Sequence, residues 1–191
     1  MAAGDQPQTD SAGAPTRPSP LVETMPLALL DEPLDYIFAD HFRQRSICAA
    51  LRRFAAERRA SRAEADQAIA FLAHDLVLHH QDEDEDLFPA VRRRASPDDD
   101  LGVVLARLGD DHRRAESAVD AIVAALAARP GDDPVRISAA TAELLNAYVA
   151  AEGRHLAIEN GVILAIARLR LTRRDIAAMS HSMKERRGVA A

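Results

Sequence analysis

The chain has 191 residues, 48% hydrophobic but only 4% aromatic and without Trp, so its apolar mass is mostly Ala and Leu and favours close-packed helices over a sheet sandwich. The formal net charge of −6 excludes general nucleic-acid binding, because nothing would neutralise a row of phosphates. No apolar run reaches bilayer length, no basic-then-apolar leader is present, and the single Cys48 excludes an internal disulfide, so the expectation is a cytoplasmic protein without membrane contact.

Met1 to Pro26 mix Ala, Gly, Ser, Thr and Gln with repeated Pro, a composition expected to stay disordered; residues 27–191 are expected to form one domain. The first helix is expected from an Asp31 cap and Pro33 to about Arg59, with Ile37, Phe38, His41, Cys48 and Leu51 inward. The second opens on the capping box Ser61-x-x-Glu64 and runs to about Arg94, with Leu72, Leu76, His79, Glu83 and Leu87 inward and a distortion near Pro89. The third follows Ser96-Pro97 and ends near Ala128 to Gly131; its seam is Leu105, Leu108, His112, Glu116, Val119, Val123 and Leu126. The fourth is expected from Asp133-Pro134 to Arg170, with Leu145, Tyr148, Glu152, His155, Glu159, Val162 and Ile166 inward. A short fifth helix follows Thr172-x-x-Asp175 and stops at Gly188. No alternating run reads as a strand. The connections are short, so the expected fold is all-α: an up-down-up-down four-helix bundle with a short fifth helix.

His41, His79, His112 and His155 fall on the inward faces of the four long helices, one to each, and His79, His112 and His155 each carry a glutamate four residues on, one turn along the same face. In an up-down bundle His79, His112 and His155 lie roughly 13–15 residues from one end and His41 only about 8–10, so the four meet at similar heights if the first helix begins a turn or so lower. Burying three carboxylates without a cation would cost several kcal/mol each, or force protonation. A paired transition-metal site removes that cost, with His41, His79, Glu83, His112, Glu116, His155 and Glu159 as candidate ligands. His80 is expected on the bundle flank and His74 on the surface, with His181-x-x-x-Glu185 outside the core. Apart from Glu83, the run Asp82 to Asp86 reads as a solvated face, Cys48 as a packed thiol, and Tyr148 and Glu152 as neighbours of the ligands. The basic runs Arg92 to Arg94 and Lys184 to Arg187 read as complements to helix C-termini.

From about Asp31 to Gly188 the chain resembles the hemerythrin-like, or HHE cation-binding, family. His79-His80-Gln81-Asp82-Glu83, ahead of Leu87-Phe88-Pro89, looks like its second-helix motif; His155 to Glu159 looks like the fourth-helix motif and Asp40-His41 like the first. The resemblance implies two non-haem irons joined by an oxo or hydroxo bridge, with Glu83 and Glu159 bridging and the four histidines as terminal ligands. It also implies binding, sensing or reaction with a small diatomic or peroxide ligand, or iron storage. An iron-responsive regulatory module without oxygen chemistry is the alternative. Oxygen-carrying members have a second histidine where this chain has Glu116. They also have an aspartate where it has Asn160.

Overall fold

The computed structural model describes residues 20–190. The expected tail therefore lies mostly outside the described residues. Its last part is packed: the Leu21 N–H donates to Gln67 Oε1 at 2.7 Å, and Leu21 and Val22 lie against the core, so packing begins before Leu27. A short 3₁₀ turn, Leu27–Asp31, leads into α1, Pro33–Glu57, with Pro33 in the first turn, where its missing N–H costs nothing. The residue before the helix is Glu32 rather than Asp31.

Helix α2 covers 62–94 and is interrupted by two π-helical turns, Phe71–Asp75 and Asp82–Leu87. Ser61 and Glu64 cap it reciprocally, as expected. Pro89 follows the second π turn, so the distortion its sequence predicts takes the form of a widened turn. Helix α3 is Gly102–Ala127, preceded by a separate 3₁₀ turn, Pro97–Asp99, which Ser96 caps. Helix α4 covers 139–170 and contains a third π turn, Glu159–Ile163. Helix α5, Arg173–Arg186, has the Thr172–Asp175 capping box and ends before Gly188, whose φ of 64° supplies the left-handed turn a helix stop favours.

Two expectations fail at the fourth helix. It begins at Ala139, with Ser138 capping, because Val135–Arg136 is extended and pairs antiparallel with Arg59–Ala60. The three-residue alternation Val135-Arg136-Ile137 drives this: Val135 and Ile137 are buried while Arg136 is exposed. Beyond Glu159 the seam consists of Ile163 and Ala167, with Val162 and Ile166 only partly covered. A π turn takes one extra residue, so every residue after it shifts one place round the helix relative to uninterrupted α periodicity. Phe38, expected inside, is 38% exposed and meets Phe42 edge-on at 5.1 Å.

Among the described residues, α1 to α4 form the up-down-up-down bundle, and its apolar core is split in two. One cluster joins the later part of α1 to the early part of α2, the end of α3 and the start of α4, around Phe54, Phe71, Leu126 and Leu145. The other joins the beginnings of α1 and α3 to the ends of α2 and α4 and to α5, around Ile37, Leu87, Leu108 and Met183. Between them lies a buried polar layer.

Candidate metal centre

That layer contains His41, His79, Glu83, His112, His155 and Glu159, each at most 4% exposed. His41 Nε2 lies 3.4 Å from Glu83 Oε1 and 3.5 Å from Glu159 Oε2. Glu83 Oε2 lies 3.2 Å from His79 Nε2 and 3.4 Å from His112 Nε2. Glu159 Oε1 is 2.8 Å from His155 Nε2, and the Nε2 atoms of His112 and His155 are 3.0 Å apart. Two groups of donor atoms result: His41, His79, Glu83 and Glu159, and Glu83, His112, His155 and Glu159. Within each group the atoms lie within 4.8 Å of one another. Both glutamates belong to both groups.

A π turn continues each helix beyond its glutamate. The N–H of Phe88 bonds the carbonyl of Glu83, and that of Leu164 bonds the carbonyl of Glu159, each spanning five residues instead of four. Each glutamate is reached by ordinary α bonds, the N–H of Glu159 bonding the carbonyl of His155, and the widening beyond it takes up the drift of successive four-residue steps, so residues 79, 83, 87 and 91 on α2 and 155, 159, 163 and 167 on α4 all stay buried. Helix α3 has no such turn. Its seam runs 105, 108, 112, 115, 119, 122 and 126, an alternation of three- and four-residue steps, and Ala115 occupies the place after His112. Glu116 stands about 100° further round and is exposed, outside both groups. Its expected inward position is corrected on that ground.

Each histidine presents Nε2 to the centre, and its Nδ1 faces a residue from a neighbouring helix. Asn160 Oδ1 on α4 is 3.0 Å from His41 Nδ1, and Asp40 Oδ2 on α1 is 3.3 Å from His79 Nδ1. Asp84 Oδ2 on α2 is 3.0 Å from His112 Nδ1, and Asp111 Oδ2 on α3 is 3.9 Å from His155 Nδ1. The supports therefore pass once round the bundle, α4 to α1 to α2 to α3 and back to α4. Such partners fix the ring orientation and tautomer of a metal-binding histidine.

None of this support was expected from spacing, because each support acts across helices. The available signal was adjacency: Asp40, Asp84, Asp111 and Asn160 each sit beside a candidate ligand in sequence. Asp82 was expected in solvent, but it is fully buried, held by Arg186 at 2.7 Å and Arg187 at 2.6 Å from α5 and the residue after it. The basic run of residues 184–187 thus pairs with a buried carboxylate as well as facing a helix end. His80, expected on the flank, is buried and stacked on His112 with ring centres 4.0 Å apart. His74 and His181 are exposed, as expected.

The electrostatics show what the layer demands. Both carboxylate oxygens of Glu83 and of Glu159, with Nε2 of His41 and His79, are buried without a well-formed hydrogen bond. Burial alone would raise the Glu83 carboxyl, but the charge on His79 and contacts with His112 and His41 hold it well below the usual range. Burial and Glu83 push Glu159 upward, and His155 with His112 outweigh them. Burial opposes charge on His112, yet Asp84, Glu159 and Glu83 push it up to about 12, and Glu83 with Asp40 raises His79. Two buried carboxylates thus require positive charge, which either protons on imidazoles or cations can provide. The mix of imidazole and carboxylate donors suits iron and its first-row neighbours. The donor set fits a metal pair.

A cavity of about 220 Å³ opens on one side of the centre, between α3 and α4. His112, His155, His80, Tyr148 and Glu152 line it, with small apolar residues of both helices. Burial raises the Glu152 carboxyl above its ordinary value, and its Oε1 has no partner. Burial likewise pushes the Cys48 thiol up to about 12, consistent with a half-buried packed thiol. No described helix is long and apolar enough to cross a membrane.

A comparison with curated proteins finds no match. The family model of the hemerythrin HHE cation binding domain matches residues 32–186. That span runs from the residue before α1 to the end of α5 and includes every member of the buried layer, so the chain belongs to the hemerythrin HHE cation-binding family.

Proposed function

We propose that this protein binds two non-haem irons in the buried layer and uses them to bind, sense or react with a small oxidant such as oxygen, peroxide or nitric oxide. The observation that carries the reading is the sharing of Glu83 and Glu159 between two four-donor groups. In this reading His41 and His79 hold one iron, His112 and His155 hold the other, and the two glutamates bridge them. When bound, the pair supplies ferrous–ferric redox chemistry, and an oxo or hydroxo group completes the bridge. Asn160 pairs with Nδ1 of His41, Asp40 and Asp84 lie 3.3 and 3.0 Å from Nδ1 of His79 and His112, and Asp111 faces that of His155 at 3.9 Å, so each ring turns its Nε2 inward.

Glu116 has no place in this ligand set. The second metal then receives no further donor from α3 beyond His112, and its side of the layer faces the cavity. A small ligand would enter there, while Phe88 and His80 stack near His112 and limit water.

Iron analysis of the purified protein, followed by absorption spectra without oxygen, with oxygen and with added azide, tests the reading. Two irons per chain and an oxygen-dependent charge-transfer band support it. A protein that takes up no iron overturns it. Metal-dependent melting without any oxidant response would instead indicate an iron-responsive regulatory module.

A further inference from the structure

The cavity beside His112 and His155 is larger than a small oxidant needs. Its volume is about 220 Å³. An apolar protein cavity of about 150 Å³ accommodates benzene, and a water occupies only about 30 Å³ of liquid. The walls are Leu144 and the alanines Ala115, Ala118, Ala147 and Ala151, whose short side chains leave this space between α3 and α4. Arg114 on the lining is paired with Asp111 at 2.6 Å, which offsets the charge it presents to a ligand. Among these walls stands Glu152, 4% exposed, with Oε1 lacking any hydrogen-bond partner. A buried carboxyl without a partner is costly unless something completes its bonding.

We propose that this cavity binds an uncharged, mostly apolar organic molecule of about six to ten heavy atoms, comparable to or slightly larger than benzene, whose single hydroxyl group hydrogen-bonds Glu152. A hydroxyl both donates and accepts, so it can satisfy the carboxyl whether or not Glu152 carries a proton. The inference rests on the metal-centre reading for one point only: the bound hydroxyl would lie on the side of the second metal.

The test uses 4-methylphenol and toluene, which differ by the hydroxyl, titrated calorimetrically into the full-length iron-loaded protein and into the metal-free protein. 4-Methylphenol should bind about tenfold more tightly than toluene, the difference of one useful hydrogen bond. Glu152→Leu should bring the two within about twofold, and Glu152→Gln should restore most of the preference. Ala118→Leu should abolish binding of both while the iron count stays unchanged; Ala147→Leu fills the same space from the other helix if the first variant folds poorly. Equal affinities in the unaltered protein, no binding of 4-methylphenol, or undiminished binding in both filled variants would overturn the proposal. Iron is counted separately in every sample. Binding of 4-methylphenol with the expected preference by a protein that takes up no iron would support the cavity and sink the metal reading.

Discussion

The two halves of the buried layer are built from the same kinds of residue but enclosed differently. The half containing His41 and His79 lies on α1 and α2 and is braced from outside by α5, where Arg186 and the following Arg187 hold the buried Asp82 beside Glu83. The half containing His112 and His155 lies on α3 and α4 and borders the cavity. The supports differ too: Asp40 is 3% exposed and held by Arg43, whereas Asp111 is 28% exposed and lies 3.9 Å from its histidine. A symmetric donor set can thus have one half fixed and the other open to ligands.

The largest expected effect removes that comparison altogether. Glu83→Ala deletes a donor common to both groups, so iron analysis should show loss of both metals, not one. Retention of a single iron would show that the halves are independent. Next in size is Arg187→Ala, which leaves Asp82 buried with one guanidinium fewer. It should destabilise the protein by about 3 kcal/mol in denaturant unfolding, because an undercompensated buried carboxylate is costly.

The pH response distinguishes metal-free from loaded protein. In the metal-free state His79, His112 and His155 are raised. The stability they contribute is fully present below about pH 6.5 and lost as pH rises through their folded values, about 12 for His112. Asp40, Glu83 and Glu159 are lowered, so their contribution is present above the ordinary carboxylate range of about 4 and lost as pH falls. Scanning calorimetry of the metal-free protein should therefore show melting temperature falling from neutral toward alkaline pH. The loaded protein should fall less, since cations replace those protons.

Smaller effects sharpen the contrast between halves. Asp40→Ala should weaken metal retention about 10- to 100-fold in chelator competition, and Asp111→Ala by less. Equal losses would mean the two halves are equally supported. Smallest of all is Glu116→Ala: iron count and oxidation rate should not change, and a change in either would return Glu116 to the site.

Much of this was legible in the sequence because helical signals are local. Capping boxes at Ser61 and Thr172, the stop at Gly188 and the apolar seams mark the helices, and one seam histidine on each long helix marks the layer. Short connections then imply the antiparallel order. Where the reading failed, the cause was a departure from uniform periodicity or a long-range partner. The π turn after Glu159 moved the seam from Val162 to Ile163, and pairing with Arg59–Ala60 made Val135–Arg136 a strand instead of the start of a helix. Asp82 was misplaced because its two arginines lie more than a hundred residues away.

The sequence by itself determined the all-α bundle, the inward histidines and the pairing of His79 with Glu83 and His155 with Glu159, since these depend on residues within a few helical turns. Glu116 shares the same four-residue spacing, and only the tertiary structure separated it from the other two glutamates. The difference lies in the backbone: α2 and α4 carry π turns beyond their glutamates that keep four-residue steps inward, whereas α3 stays regular, alternates three- and four-residue steps and spends the inward position on Ala115. The cross-helix ring of Nδ1 supports and the cavity beside His112 and His155 likewise arise only when the four helices are packed together.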